Sequence, residues 1–139
     1  MIEGVFVIRN GLCLFSRQYG KDRVDSDLVS GFLCAINQFT MNATNGSGIE
    51  MITMKKSTLS FTMVKDFLFV FKHGKMKSSK LNKIVKEFTY TFMDEFEFEL
   101  NHWRGNSSTF KDFASQADKI LNNKHDSIYE RNLILTVNC

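Results

Sequence analysis

The chain contains no proline and one tryptophan among its 139 residues. Without proline, its turns depend on Gly, Asn, Asp and Ser, which tolerate positive φ or bond back to their own backbone. The three cysteines, Cys13, Cys34 and Cys139, form no CxxC spacing, which excludes that type of metal or redox motif. An odd count in a short chain also argues against a secreted disulfide scaffold. Cys13 and Cys34 lie among apolar neighbours and read as small, inert core thiols. Neither HxH nor HExxH occurs, so no dedicated zinc spacing is present. GxxxxGK[ST] and GxGxxG are missing too, which leaves no phosphate-cradling loop; Asn45-Gly46-Ser47-Gly48 is a flexible connection with no helix starting after it. The start of the sequence has no basic stretch followed by an apolar run, as a signal peptide requires. Apolar runs such as residues 67–71 fall far short of the ~20 residues that span a bilayer. The expected location is therefore cytoplasmic, with peripheral membrane attachment through partners as a further option.

What is abundant is phenylalanine, with 14 copies in a sequence that is 43% hydrophobic and 24% charged. That composition is too apolar for a disordered regulator and supplies a core without metal or disulfides. The length fits one domain, placed at residues 2–124, with a tail at 125–139. Net charge is only +3, which is weak grounds for nucleic-acid binding.

The periodicity supplies the elements. A mostly β-branched and aromatic run, residues 4–9, and an apolar run, residues 12–17, flank Asn10-Gly11, the strongest short hairpin signal. A two-residue turn places Ile8 opposite Cys13 and Phe6 opposite Phe15. A helix follows from Asp25 or Ser26 to Phe39, with Leu28, Phe32, Ile36 and Phe39 as its core stripe, widened by Val29, Leu33 and Ala35. Strands are predicted at 49–55, 58–64 and 67–72. In that register Ile52, Met54, Leu59, Phe61, Met63, Leu68 and Val70 form a continuous core face, and the face of Phe67, Phe69 and Phe71 is covered in part. A long helix is predicted over 78–103, capped by Ser78 or Ser79, with Leu81, Ile84, Val85, Phe88, Phe92, Phe96 and Leu100 inward. Ser107 or Ser108 caps a last helix carrying Phe110, Phe113, Ala114, Ala117, Ile120 and Leu121. The run Leu133-Ile134-Leu135-Thr136-Val137 in the tail reads as a sixth strand, a peptide over a groove, or an intermolecular strand. The sum is an α/β (α+β) sandwich in the order β-β-α-β-β-β-α-α. Its five-stranded, mainly antiparallel sheet has one helix on one face and two on the other.

Reactive chemistry is sparse. His73, His102 and His125 fall at predicted element ends without a companion histidine and read as ordinary surface residues. Asp94, Glu95, Glu97 and Glu99 point around more than one helical face and read as a solvated surface. Lys77, Lys80 and Lys83 lie near the start of the same helix, opposing its dipole. Their bland reading is a solvated face, and their functional one is contact with an anionic surface. Tyr19, Tyr90, Phe98 and Trp103 lie off the main stripes and are candidate interface anchors. No catalytic, cofactor or metal residue is assigned.

The stretches IEGVFVIRNGLCLFSRQYG, DLVSGFLCAINQF, IEMITMKKSTLSFTMVKDFLFVFKHG and SKLNKIVKEFTYTFMDEFEFEL resemble, in element order and apolar texture, the longin variant of the longin/roadblock group of profilin-like domains. Such domains occur in trafficking proteins and in regulators of small GTPases, and archaeal relatives of those regulators are similarly short chains. The resemblance implies a non-catalytic protein–protein interaction module, with a longin- or roadblock-like domain as homo- or heterodimer partner and a small GTPase as a further one. It implies pairing through the first helix and its neighbouring edge strand, here Leu12, Leu14, Val29 and Phe32. No cofactor and no nucleic acid are implied. The alternative is a small-ligand sensor with a pocket between sheet and helix.

Overall fold

The computed structural model describes residues 1–20, 22–102 and 107–122. Five strands, β1 (Ile2–Arg9), β2 (Leu12–Gln18), β3 (Met51–Thr53), β4 (Thr58–Val64) and β5 (Phe67–His73), form one sheet in the order β2-β1-β5-β4-β3. Every pairing is antiparallel. Helix α1 (Ser26–Ala43) covers one face. Helices α2 (Ser78–Glu95), α3 (Glu97–Asn101) and α4 (Ala114–Asn122), with a 3-10 segment at Ser107–Phe113, cover the other. This is the layered order expected from the sequence. The tail, Trp103, His125 and the domain boundary at 124 lie outside the described residues.

Asn10 and Gly11 both take positive φ, at 51° and 80°, so the first hairpin has the tight turn its sequence calls for. Its register differs beyond the first two pairs. Ile8 pairs with Cys13, but Val7 pairs with Phe15 and Phe6 with Ser16, because the register shifts between Val7 and Ile8. Leu14 is the extra residue of this bulge. Bulging lets Leu14 and Phe15, though consecutive, both enter the larger core, where alternation alone separates them.

That larger core is the second correction. Phe67, Phe69 and Phe71 of β5 meet Phe88, Phe92 and Phe96 of α2 and Phe110 and Phe113 of the 3-10 segment, all buried. Phe92 lies within 6.2 Å, centroid to centroid, of Phe15, Phe69, Phe88, Phe96, Phe110 and Phe113, and five of those six contacts are tilted or edge-on, two with ring planes at 84–85°. Edge-on contact sets the positive rim of one ring against the negative face of the next. The face expected to be continuous core is the smaller one, built on Phe6, Ile8, Leu33, Phe61, Leu68 and Val70. Met54 and Met63, assigned to it, are exposed, because β3 is only three residues long and α1 lies over β1 and β2.

Two helix ends also differ. Lys77 is the N-cap of α2 and makes no side-chain cap, so neither Ser78 nor Ser79 fills that role. The helix stops at Glu95, and α3 restarts at Glu97 with Phe96 between them at φ −111°. Asp94, Glu95, Glu97 and Glu99 crowd negative charge at the negative end of the helix dipole, which weakens that turn. Phe96 and Leu100 stay in the core across the break. The last helix likewise opens as a 3-10 turn, and α4 starts only at Ala114.

Replacing Phe92 with alanine is expected to cost about 3–5 kcal/mol in urea unfolding, because the cavity sits at the centre of the ring cluster. Tyr90→Ala, on the solvent side of the same helix, should change stability by less than about 0.5 kcal/mol.

Candidate interaction surface

Helix α1 is turned away from its expected orientation. The side facing the sheet carries Ser26, Ser30, Leu33 and Asn37, all buried, at helical spacing. Leu28, Phe32 and Phe39 point outward and are 74%, 61% and 72% exposed. Gly31 and Ala35 are exposed between them, so the outward stripe runs Leu28, Gly31, Phe32, Ala35, Phe39. A Cβ built on Gly31 would meet nothing within 4 Å, so the stripe has an open notch beside its large side chains. Asp27 is the sole charged side chain in the 18 residues of α1.

The inward choice has physical reasons. Asp25 caps the helix by accepting from the backbone N–H groups of Asp27 and Leu28 at 3.0 and 3.2 Å, which fixes where it starts. Gln18 grips the preceding loop through two 2.9 Å bonds with the Val24 backbone. Small Ser26 and Ser30 then lie over the β2–β1 edge, and Leu33, flanked by Val29 and Cys34, fills the smaller core. Asn37 is satisfied at its carbonyl by the Ile49 N–H at 3.3 Å. Among the described residues, the buried hydroxyls of Ser16 and Ser30 meet no hydrogen-bond partner. Meanwhile each outward Leu or Phe forgoes the ~1.5–3 kcal/mol that full burial contributes. Helix α1 thus buries its serines and exposes two phenylalanines and a leucine in one stripe.

The same side of the sheet is thinly covered beyond α1. Ile49, Ile52 and Leu59 are half-buried and Met63 is exposed, next to the short edge strand β3. Of the residues proposed from sequence, Phe32 lies in the outward stripe and Val29 on its inner flank. Leu12 is exposed but sits at the β1–β2 turn opposite Arg9, whose guanidinium lies 4.9 Å over Phe67 on the α2 side. Leu14 is fully buried, taken into the larger core by the bulge, and presents nothing to a partner. The four do not form one surface. Leu28 and Phe39 were missed because their spacing reads as a core stripe; the signal that could have found them is the lack of charge on α1. Lys77, Lys80 and Lys83 are exposed along the first turns of α2.

The other candidates have structural partners. His73 is buried, not at the surface: its Nε2 is 2.8 Å from the Ser60 hydroxyl and its Nδ1 2.8 Å from the Gly74 carbonyl. Nδ1 donates to that carbonyl, and Nε2 shares a hydrogen bond with the Ser60 hydroxyl on the neighbouring strand. His102 stacks on exposed Phe98 at 4.4 Å. Cys13 is buried and disulfide-bonded, so it is not the inert thiol expected; Cys34 is the free cysteine among the described residues. Tyr19 is tied into the fold, its hydroxyl donating to Asp118 at 2.5 Å. Arg17 makes two further bonds to that carboxylate, at 2.7 and 2.8 Å, which clamp α4 onto edge strand β2. Burial pulls Arg17 toward losing its proton, but Asp118 outweighs it and raises the pKa. Burial, then Asp118, push the Tyr19 hydroxyl well above its ordinary value. Among the described residues, no three His, Cys, Asp or Glu side chains gather in a way that could hold a metal ion. A groove of about 440 Å³ lies between the β4–β5 turn and the end of α2, with Val64, Phe67, Met93 and Leu100 among its lining and Arg9, Asp66, Asp94 and Glu97 around them.

Asp118→Ala leaves the Arg17 charge buried and unpaired, and a loss of about 3–5 kcal/mol is expected in chemical denaturation. Tyr19 adds a pH dependence. Its raised pKa means the folded chain keeps the proton after the unfolded chain has lost it, so stability present below pH 10.0 falls as pH rises above it. Stability curves should show Tyr19→Phe falling less steeply there, by at most about 1.4 kcal/mol per pH unit.

No family model matches the chain, and no curated protein matches it either.

Proposed function

We propose that this chain is a non-catalytic protein–protein interaction module, longin-like in kind, that acts as a scaffold or regulator for small GTPases or membrane trafficking. The five-stranded antiparallel sheet with helices on both faces is compatible with a longin-like fold. The observation that carries the reading is the outward stripe of Leu28, Phe32 and Phe39 on α1. Its apolar area lies on a convex helix, and convex apolar surface suits a partner, whereas small molecules are held in concave sites.

The partner of first choice is a second longin- or roadblock-like domain, as homo- or heterodimer. Phe32 and Phe39 supply projections and Gly31 and Ala35 supply recesses on one face, so two such faces can interlock about a two-fold axis. With one charge on the helix, a like pairing brings no row of repelling side chains together. A standard interface needs about 800 Å² per partner. The stripe is extended toward that size by Met63, Ile52 and Leu59 on the same side of the sheet. A small GTPase is then engaged by the assembled pair. Neither cofactor nor nucleic acid enters this reading. Among the described residues no helix is long and apolar enough to cross a membrane.

Light scattering across a concentration series tests it, with a longin- or roadblock-like domain added in a second series. Wild type should pair, and Phe32→Glu and Phe39→Glu should shift the midpoint at least about tenfold, one buried apolar contact being worth 1.4 kcal/mol or more. Wild type that stays monomeric in both series, or glutamate variants that pair as wild type does, would remove α1 as the docking face.

A further inference from the structure

We propose that one end of the sheet is a docking face for an anionic phospholipid bilayer. The fold gathers cations there from segments far apart in sequence. Thr58 pairs with His73, so the β3–β4 turn bearing Lys55 and Lys56 lies beside the end of β5. Ser57 in that turn donates to Glu3 at 2.7 Å, and Gly74 donates to the Met1 carbonyl at 3.0 Å, which ties the start of β1 to the same end. Lys75 and Lys77 follow in the β5–α2 connection, and Lys80 and Lys83 continue along the first turns of α2. All six of these lysines are exposed. None of them is in an ion pair among the described residues, whereas Lys72 sits 3.9 Å from Glu3.

The opposite end is acidic. Helix α2 runs from the basic end to the β4–β5 turn, where Asp94 and Glu97 line a groove with Asp66, and Glu95 and Glu99 follow close by. The full helix is about 27 Å long, and eleven residues, about 16 Å, still separate Lys83 from Asp94. Screening at physiological salt acts over about 8 Å, so the acidic pole does not cancel the attraction of the basic one. Asp22, Asp25 and Asp27 belong to the basic end as well, but they lie at the start of α1, and the Asp25 carboxylate caps that helix.

The chemistry favours headgroups over other polyanions. Six of the cations at this end are lysines, point charges that suit diffuse attraction, and Arg23 sits apart from them among Asp22, Asp25 and Asp27 in the loop before α1. Residues 54–57 and 72–83 present no exposed aromatic side chain. Stacking on bases needs such rings, and protein interfaces use them as central anchors. A broad lysine field without an anchor matches a charged lipid surface. The inference stands apart from the pairing through α1 and survives its failure.

Co-sedimentation with vesicles tests it, comparing phosphatidylcholine alone with phosphatidylcholine plus phosphatidylserine. The full chain should bind the anionic vesicles only, and less as salt rises. Each lysine lost should weaken binding about fivefold, so Lys55→Ser/Lys56→Ser and Lys77→Ser/Lys80→Ser should each lose about 25-fold. Lys65→Asn, at the far end, should bind as wild type does. Absent binding, equal binding to neutral vesicles, or lysine pairs that bind like wild type would each overturn the assignment. Absent binding together with capture by polyglutamate would hand this end to an acidic protein surface instead.

Discussion

The strict two-residue alternation of β5, the middle strand of the sheet, sets the rest of the molecule. Phe67, Phe69 and Phe71 go to one side, and Leu68 and Val70 go to the other. A strand cannot send its rings to both faces, so the side that receives them must be thick and the other thin. The thick side takes three α-helices, the 3-10 segment and most of the buried phenylalanine. Its rings interlock with few parallel stacks, which fixes the position of α2 to within a ring's width. The bulge at Leu14 belongs to the same constraint: without it Phe15 would face α1, and the larger core would lose a ring that meets both Phe92 and Phe113.

The thin side explains the exposed helix. Facing β1 and β2, α1 meets Phe6, Ile8 and the small Ser16, so close approach favours serines on its inner side. Turning the helix by about a third of a turn would bury Phe32 and Phe39, but it would set bulky rings where Ser26 and Ser30 now sit. The protein therefore keeps two unpartnered hydroxyls inside and two phenylalanines outside. Each half of that arrangement is unfavourable for an isolated chain, and a partner over α1 would offset the second half.

Much of the fold is readable in the sequence because its signals are local. Asn10-Gly11 makes the first turn, alternation from Thr58 to His73 makes the central hairpin, and the spacing from Leu81 to Leu100 makes the inner stripe of α2. What is not readable depends on the third dimension. Helical periodicity in α1 gives two rival stripes, one through Leu28, Phe32 and Phe39 and one through Ser26, Ser30, Leu33 and Asn37. Hydrophobicity alone picks the first, and only the shape of the β1–β2 surface selects the second. The candidate surface is therefore half legible: Phe32 stands out, while its neighbours read as core, and Leu14 reads as surface because a bulge cannot be counted in advance. His73 reads as a surface residue for a similar reason, since its partner Ser60 lies thirteen residues away on another strand.

The surfaces also differ in the range of the forces they exert. Charge on Lys55, Lys56, Lys75, Lys77, Lys80 and Lys83 acts over about a Debye length, so it would orient the molecule ahead of the proposed contact with an anionic surface. The stripe on α1, in the proposed pairing, would act only once water is expelled and would set how long that contact lasts. Since α1 lies across the sheet and the lysines lie at its end, the two faces point in different directions. A molecule held by its basic end keeps its acidic end away from an anionic surface and leaves α1 open at the side. Geometry alone thus allows both contacts at once, and neither has to displace the other.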